Sequence, residues 1–153
     1  MEYVRAGDIA PDFTALDQNG ENVSLSDFRD KNPVVLIFYP GDETPGCTKQ
    51  LCSARDDFDK YESAGVKVFG VNQGSQASHQ KFIARHNLKT PLLIDNGLAI
   101  SAKYDAVLGF GPLKLINRTV VAIDKAGKIV FYERGAPNTN KILASLGKVE
   151  ASA

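Results

Sequence analysis

The sequence predicts an α/β sandwich, a mixed β-sheet carrying helices on both faces, and three observations predict it. Val34-Val35-Leu36-Ile37-Phe38-Tyr39 is an unbroken apolar run rich in β-branched and aromatic residues, as suits a strand covered on both sides. Beyond it, strand and helix patterns alternate, which is the signature of parallel crossover units. Toward each end of the chain, two short extended segments flank a turn signal and read as a hairpin.

Phe13-Thr14-Ala15-Leu16-Asp17 and Glu21-Asn22-Val23-Ser24-Leu25 flank Gln18-Asn19-Gly20. Asn-Gly supplies the positive φ angles of a tight turn, so the chain opens with a β-hairpin. The run from Val34 to Tyr39 then takes a central place in the sheet. From Cys47 the apolar residues Leu51, Ala54, Phe58 and Tyr61 recur at steps of three or four, a helical stripe expected to run to the stop at Gly65. That places Cys47 at a helix start. Val66 to Val71 reads as the next strand, followed by a polar loop and a helix around Ala77 to His86. Leu92-Leu93-Ile94 is a short strand and Leu98 to Tyr104 a short helix. Thr119 to Ile123 and Lys128 to Tyr132 flank Lys125-Ala126-Gly127 as a second hairpin, and a helix from Thr139 to Leu146 follows. No internal repeat or linker interrupts this order, and the tail over 148–153 is expected to fray.

With 153 residues, 43% of them hydrophobic, the chain suits a single domain over 1–153. Lysine plus arginine equals aspartate plus glutamate, 18 against 18, so no summed field draws the protein to nucleic acid or anionic lipid. The segment from Met1 to Arg5 lacks the apolar core of a leader, and the longest apolar run falls far short of a membrane span. A cytoplasmic location is expected. Thiols stay free in a reducing compartment, so two cysteines five residues apart point to redox or metal chemistry over a structural staple.

The informative stretch is Tyr39-Pro40-Gly41-Asp42-Glu43-Thr44-Pro45-Gly46-Cys47-Thr48-Lys49-Gln50-Leu51-Cys52, which joins a central strand to a helix. A thiolate at a helix start faces unpaired backbone N–H groups and the positive end of the helix dipole, both of which favour the ionised, nucleophilic form. Cys47 is therefore the better nucleophile candidate. Thr44 can offer a hydroxyl to the thiolate or to a bound oxygen, and Pro40 can wall the pocket without a competing N–H.

Pro40-x-x-x-Thr44-x-x-Cys47 resembles the active-site motif of peroxiredoxins, and Thr44-Pro45-Gly46-Cys47-Thr48 with Cys52 resembles the bacterioferritin-comigratory-protein, or PrxQ, branch. Gly7-Asp8-x-Ala10-Pro11-Asp12-Phe13 is similar to that family's N-terminal signature, and Arg118-Thr119-Val120-Val121-Ala122-Ile123-Asp124 to its arginine strand. Thr119, Val120 and Val121 stand where the branch usually carries Ser-Thr-Phe. The resemblance implies a thioredoxin-like fold and a peroxidase site of Pro40, Thr44, Cys47, Cys52 and Arg118, with no cofactor and no metal. It also implies that Cys47 becomes a sulfenic acid, that Cys52 condenses with it to a disulfide, and that thioredoxin or a similar dithiol restores both thiols. Hydrogen peroxide and organic hydroperoxides are the implied substrates. A monomer is expected, because the implied cysteine pair lies within one chain.

Simpler roles stand beside these. Cys47 can be an inert buried apolar residue, Cys52 can face the core from its helix, and Arg118 can be an ordinary arginine at a sheet end. His79 and His86, seven apart, are expected on a solvated helix face. Gln50 is either a hydrogen-bonding neighbour of the site or a surface residue. Among other functions, a thioredoxin-like disulfide oxidoreductase shares the implied fold but uses C-x-x-C, whereas four residues separate these cysteines. A zinc module lacks finger spacing, a glutathione-peroxidase-like enzyme lacks its tryptophan, and a Cys-His hydrolase lacks a supporting motif.

Overall fold

The apolar run becomes the middle strand of the main sheet. In the computed structural model, which describes residues 4–109 and 111–147, β1 (Thr14–Leu16) pairs antiparallel with β2 (Asn22–Ser24) across the Asn19-Gly20 turn. Gly20 adopts φ 78° there, a conformation that glycine enters without steric cost. Next comes β3 (Val34–Phe38), buried along its whole length. It is followed by α1 (Pro45–Asp56), α2 (Phe58–Ser63), β4 (Lys67–Asn72), α3 (Gln76–His86) and β5 (Leu92–Ile94). After α4 (Ala99–Lys103) come β6 (Val107–Leu108), β7 (Leu115–Ile116), β8 (Thr119–Ile123), β9 (Ile129–Arg134) and α5 (Thr139–Ser145).

The main sheet runs β5-β4-β3-β8-β9, with β3 parallel to β4 and antiparallel to β8. Alternation along β3 divides the core, because successive side chains leave opposite faces of a strand. Leu36 and Phe38 join Phe69, Val71, Tyr104 and Val121 under the opening hairpin and α4. Val35, Ile37 and Tyr39 join Leu51, Phe82 and Ile142 under α1, α3 and α5. Helices thus lie on both faces, as the sequence predicts.

Two elements depart from expectation. The stripe expected to run unbroken to Gly65 is interrupted at Asp57, whose dihedral angles are φ −97° and ψ 10°. Its carboxylate accepts from the Thr139 hydroxyl at 2.5 Å, so a contact with the start of α5 fixes the break. The pair β6–β7 was not anticipated, since two-residue strands carry no readable periodicity. The fraying expected for 148–153 lies outside the described residues. Among those described, no helix is long and apolar enough to cross a membrane.

Candidate active site

The loop leaving β3 delivers Cys47 to the first turn of α1. Pro45 is the first helical residue, where its fixed φ suits the helix and its missing N–H loses no intrahelical bond. The first bond into this turn is Thr48 N–H to Thr44 O, at 2.8 Å. The N–H groups of Gly46 and Cys47 lie before it and have no partner within the helix. Cys47 is fully buried, at 0% exposure, with its sulfur beside the positive end of α1.

Strand pairing brings in the arginine. Phe38 is registered opposite Thr119, so Arg118 lies one step beyond the strand end from which the cysteine loop departs. Arg118 Nη2 donates to Cys47 Sγ at 3.1 Å and Nη1 donates to Gln50 Oε1 at 2.6 Å. Gln50 is itself buried, and its bond holds the guanidinium plane against the sulfur. Gly46 makes room for this approach, since a β-carbon there would lie 3.1 Å from Arg118 Nη2. Of the two readings of Gln50, the hydrogen-bonding neighbour is the one observed.

The other motif residues are less tightly assembled. Thr44 is exposed and its hydroxyl donates to Gly41 O at 3.0 Å, so the anticipated bond to the sulfur is not made in this state. Pro40 is half-buried between Tyr39 and Gly41. Cys52 is half-buried at the edge of the apolar cluster that contains Cys47, and both thiols are free.

The expectation of a solvated face for both histidines is corrected at His79, which is completely buried. His79 and Phe82 point to the sheet from one side of α3, as their three-residue spacing allows. Nδ1 of His79 lies 2.7 Å from Asp42 Oδ2, and Asp42 also accepts from Tyr39 Oη at 2.7 Å and Ser78 Oγ at 2.6 Å. Asn72 Nδ2 donates to Tyr39 O at 2.8 Å. The cysteine loop is therefore fastened to the ends of β3 and β4 and to α3 by a polar cluster that sequence reasoning missed. Its bonded pairs are up to 37 residues apart, and the local signals were Asp42, inside the motif, and the three-residue spacing of His79 from Phe82. His86 is partly covered and pairs with Glu43 Oε1 at 3.0 Å.

A groove of about 330 Å³ runs beside α1, lined by Gly46, Gln50, Ile37, Val120 and Ile142 among others. Its lining includes Gly46 and Gln50, the two neighbours of the Arg118 guanidinium, but neither Arg118 nor Cys47. A buried sulfur at a helix N-terminus, bonded to an arginine just before an adjacent strand of this sheet, fits the class of thiol-dependent peroxidases on a thioredoxin-like fold. Residues 6–132 match the AhpC/TSA family model, and the chain belongs to that family.

Curated relatives are similar along most of this length. A chloroplastic peroxiredoxin Q of Triticum aestivum is 43% identical over 94% of this chain and 68% of its own. A chloroplastic peroxiredoxin Q of Suaeda salsa is 49% identical over 94% of this chain and 69% of its own. Among solved structures, the peroxidoxin BcpB of Mycobacterium tuberculosis superposes with a TM-score of 0.88 at 28% identity, covering 97% of this chain and 100% of that one. The chain is accordingly a peroxidase of the oxidoreductase class, with the fold of the peroxiredoxin Q branch.

Proposed function

We propose that Cys47 is the thiolate that attacks peroxide and Cys52 the thiol that resolves the product, with thioredoxin as the external reductant. The observation that carries this reading is the bond from Arg118 Nη2 to Cys47 Sγ at 3.1 Å on the first turn of α1. The Cys47 thiolate attacks one peroxide oxygen, the O–O bond breaks, and hydroxide or alkoxide leaves and takes up a proton. Sulfur is oxidised by two electrons to a sulfenic acid while the peroxide is reduced. Negative charge moves along S···O···O during this step. The Arg118 guanidinium and the N–H groups of Gly46 and Cys47 are preorganised to stabilise it, and the Thr44 hydroxyl joins them by rotating from Gly41 O. Pro40 walls the approach. Hydrogen peroxide and small organic hydroperoxides are the substrates of this reading, as the family membership supports.

The Cys52 thiolate then attacks the sulfenic sulfur, forming the S–S bond and releasing water after proton uptake. Both cysteines lie in α1, and five residues of helix separate Cα atoms by about 8–9 Å with Cβ directions diverging by about 140°. A disulfide needs Cα atoms within about 7 Å. The segment between Cys47 and Cys52 must therefore unwind before the bond closes. A thioredoxin dithiol supplies two electrons and two protons to restore both thiols.

Because the pair lies in one chain, we read the cycle as complete in one domain and one monomer. A reducing compartment, the cytoplasm in our reading, would keep the thiols available. One equivalent of hydrogen peroxide tests the pairing. Peptide mapping is expected to show a Cys47–Cys52 disulfide, whereas Cys52→Ser under excess peroxide accumulates two or three oxygens on Cys47. Wild-type steady-state turnover in Cys52→Ser would remove that residue from the mechanism.

A further inference from the structure

The hydrogen bonds around His79 join α3 to β4, to β5 and to the cysteine loop. Nε2 faces Leu93 O at 3.2 Å and Asn72 O at 3.3 Å, and a carbonyl can only accept, so Nε2 carries hydrogen. Nδ1 faces Asp42 Oδ2 at 2.7 Å. That same oxygen accepts from Ser78 Oγ, and Oδ1 accepts from Tyr39 Oη. Burial, then the neighbouring Asp42 charge, push the Tyr39 phenol far above its ordinary range, so this hydroxyl keeps its proton and donates it. Asp42 is thus held by three side chains, two of them, Ser78 and His79, on α3. The ring and the carboxyl group are sealed from solvent and each polar atom of the pair has a hydrogen-bond partner, as burial requires.

Space has been kept for this pair. A β-carbon on Gly74 would lie 2.9 Å from Asp42 Oδ2 and 3.0 Å from His79 Cε1, so any larger residue would push the two side chains apart. The other ionisable group nearby, Asp95, turns its carboxylate toward Ile100 and Ser101. On the solvent side of the same loop, Glu43 adopts φ 64° and reaches His86 at 3.0 Å and Arg85 at 3.6 Å. Helix α3 thus grips two consecutive residues of the loop that leads into Cys47.

We propose that His79, acting through Asp42, is a positioning residue that holds residues 41–44 in the peroxide-reactive shape and restrains the unwinding that forms the disulfide. The inference rests on the roles given above to Cys47 and Cys52. With residues 41–44 clamped, slack for the disulfide must come from Pro45 onward. Loosening the clamp lets Thr44 and the first turn of α1 drift from the sulfur, while widening the set of unwound conformations that bring Cys52 to it.

The test separates two rates in the full chain. Rapid mixing with hydrogen peroxide, quenching with a thiol-blocking reagent and intact-mass analysis give the second-order rate of Cys47 oxidation and the first-order rate of disulfide closure. In Asp42→Asn and in Gly74→Ala, oxidation is expected to slow by about tenfold or more, as a misplaced reacting group would, while closure stays equal or becomes faster. Unchanged rates, or both rates falling in the same ratio, would overturn the proposal. Absence of Cys47 oxidation in the parent protein would instead sink the proposed function itself.

Discussion

The guanidinium of Arg118 donates to the sulfur of Cys47 at 3.1 Å across 71 residues of sequence. Its second prong is spent on Gln50 at 2.6 Å, so the planar fork, and not charge alone, sets where the donor points. Arg118→Lys keeps the charge and loses the fork. The second-order rate of Cys47 oxidation by hydrogen peroxide is expected to fall by about tenfold to a hundredfold, measured by stopped-flow competition with a reference peroxidase. A near-normal rate would mean that the geometry of this arginine is immaterial.

Gly46 tests the same contact from the other side. Alanine at this position would favour the helix by about 0.5–1 kcal/mol, yet its β-carbon would meet Arg118 Nη2 at 3.1 Å and push it from the sulfur. Gly46→Ala is expected to be at least as stable as the parent toward urea but slower to react with peroxide. A variant that is both more stable and equally fast would show that Arg118 has freedom to spare.

The two thiols lie on one continuous helix, Pro45–Asp56, so disulfide formation must change backbone structure. The oxidised protein is expected to lose helical circular-dichroism signal, and amide exchange across residues 46–56 is expected to rise relative to the reduced form. Equal helicity and equal protection in both redox states would contradict the unwinding step.

Asp42 supplies a pH signature. Burial pushes its carboxyl up, but hydrogen bonds from His79, Ser78 and Tyr39 outweigh burial and hold it below the ordinary carboxylate value. A folded-state value lower than the unfolded one gives stabilisation that is complete above the unfolded value, about 4, and is lost as pH falls through the folded value. The gap in urea midpoint between the parent and Asp42→Asn is therefore expected to be constant from about pH 7 to 5 and to shrink below about pH 4. A gap that widens on acidification contradicts the assignment.

The readable parts of this protein are those whose cause is local. The run from Val34 to Tyr39 announces a buried strand because its composition is sufficient, and Asn19-Gly20 announces its turn because few other residues adopt those angles. The position of Cys47 at a helix start was legible from the strand before it and the apolar stripe after it, and the Pro40-to-Cys52 spacing carried the family resemblance. The break at Asp57 was not legible, since it answers to Thr139, 82 residues away. His79 misled for a similar reason. A histidine reads as polar until its partner is known, and its partner Asp42 lies 37 residues back in the cysteine loop. Its three-residue spacing from Phe82, which is buried on the same side of α3, is the signal that could have indicated burial.

The most direct test of the account is peroxide consumption coupled to thioredoxin and thioredoxin reductase, followed by loss of NADPH absorbance, with the parent protein beside Cys47→Ser. A serine hydroxyl is not ionised at neutral pH and is a poor nucleophile toward oxygen. The parent is expected to turn over hydrogen peroxide many times per chain, and Cys47→Ser to show no turnover above background. Retention of more than a few per cent of parent activity in Cys47→Ser would contradict the central claim that this buried sulfur, held by Arg118 at the start of α1, performs the chemistry.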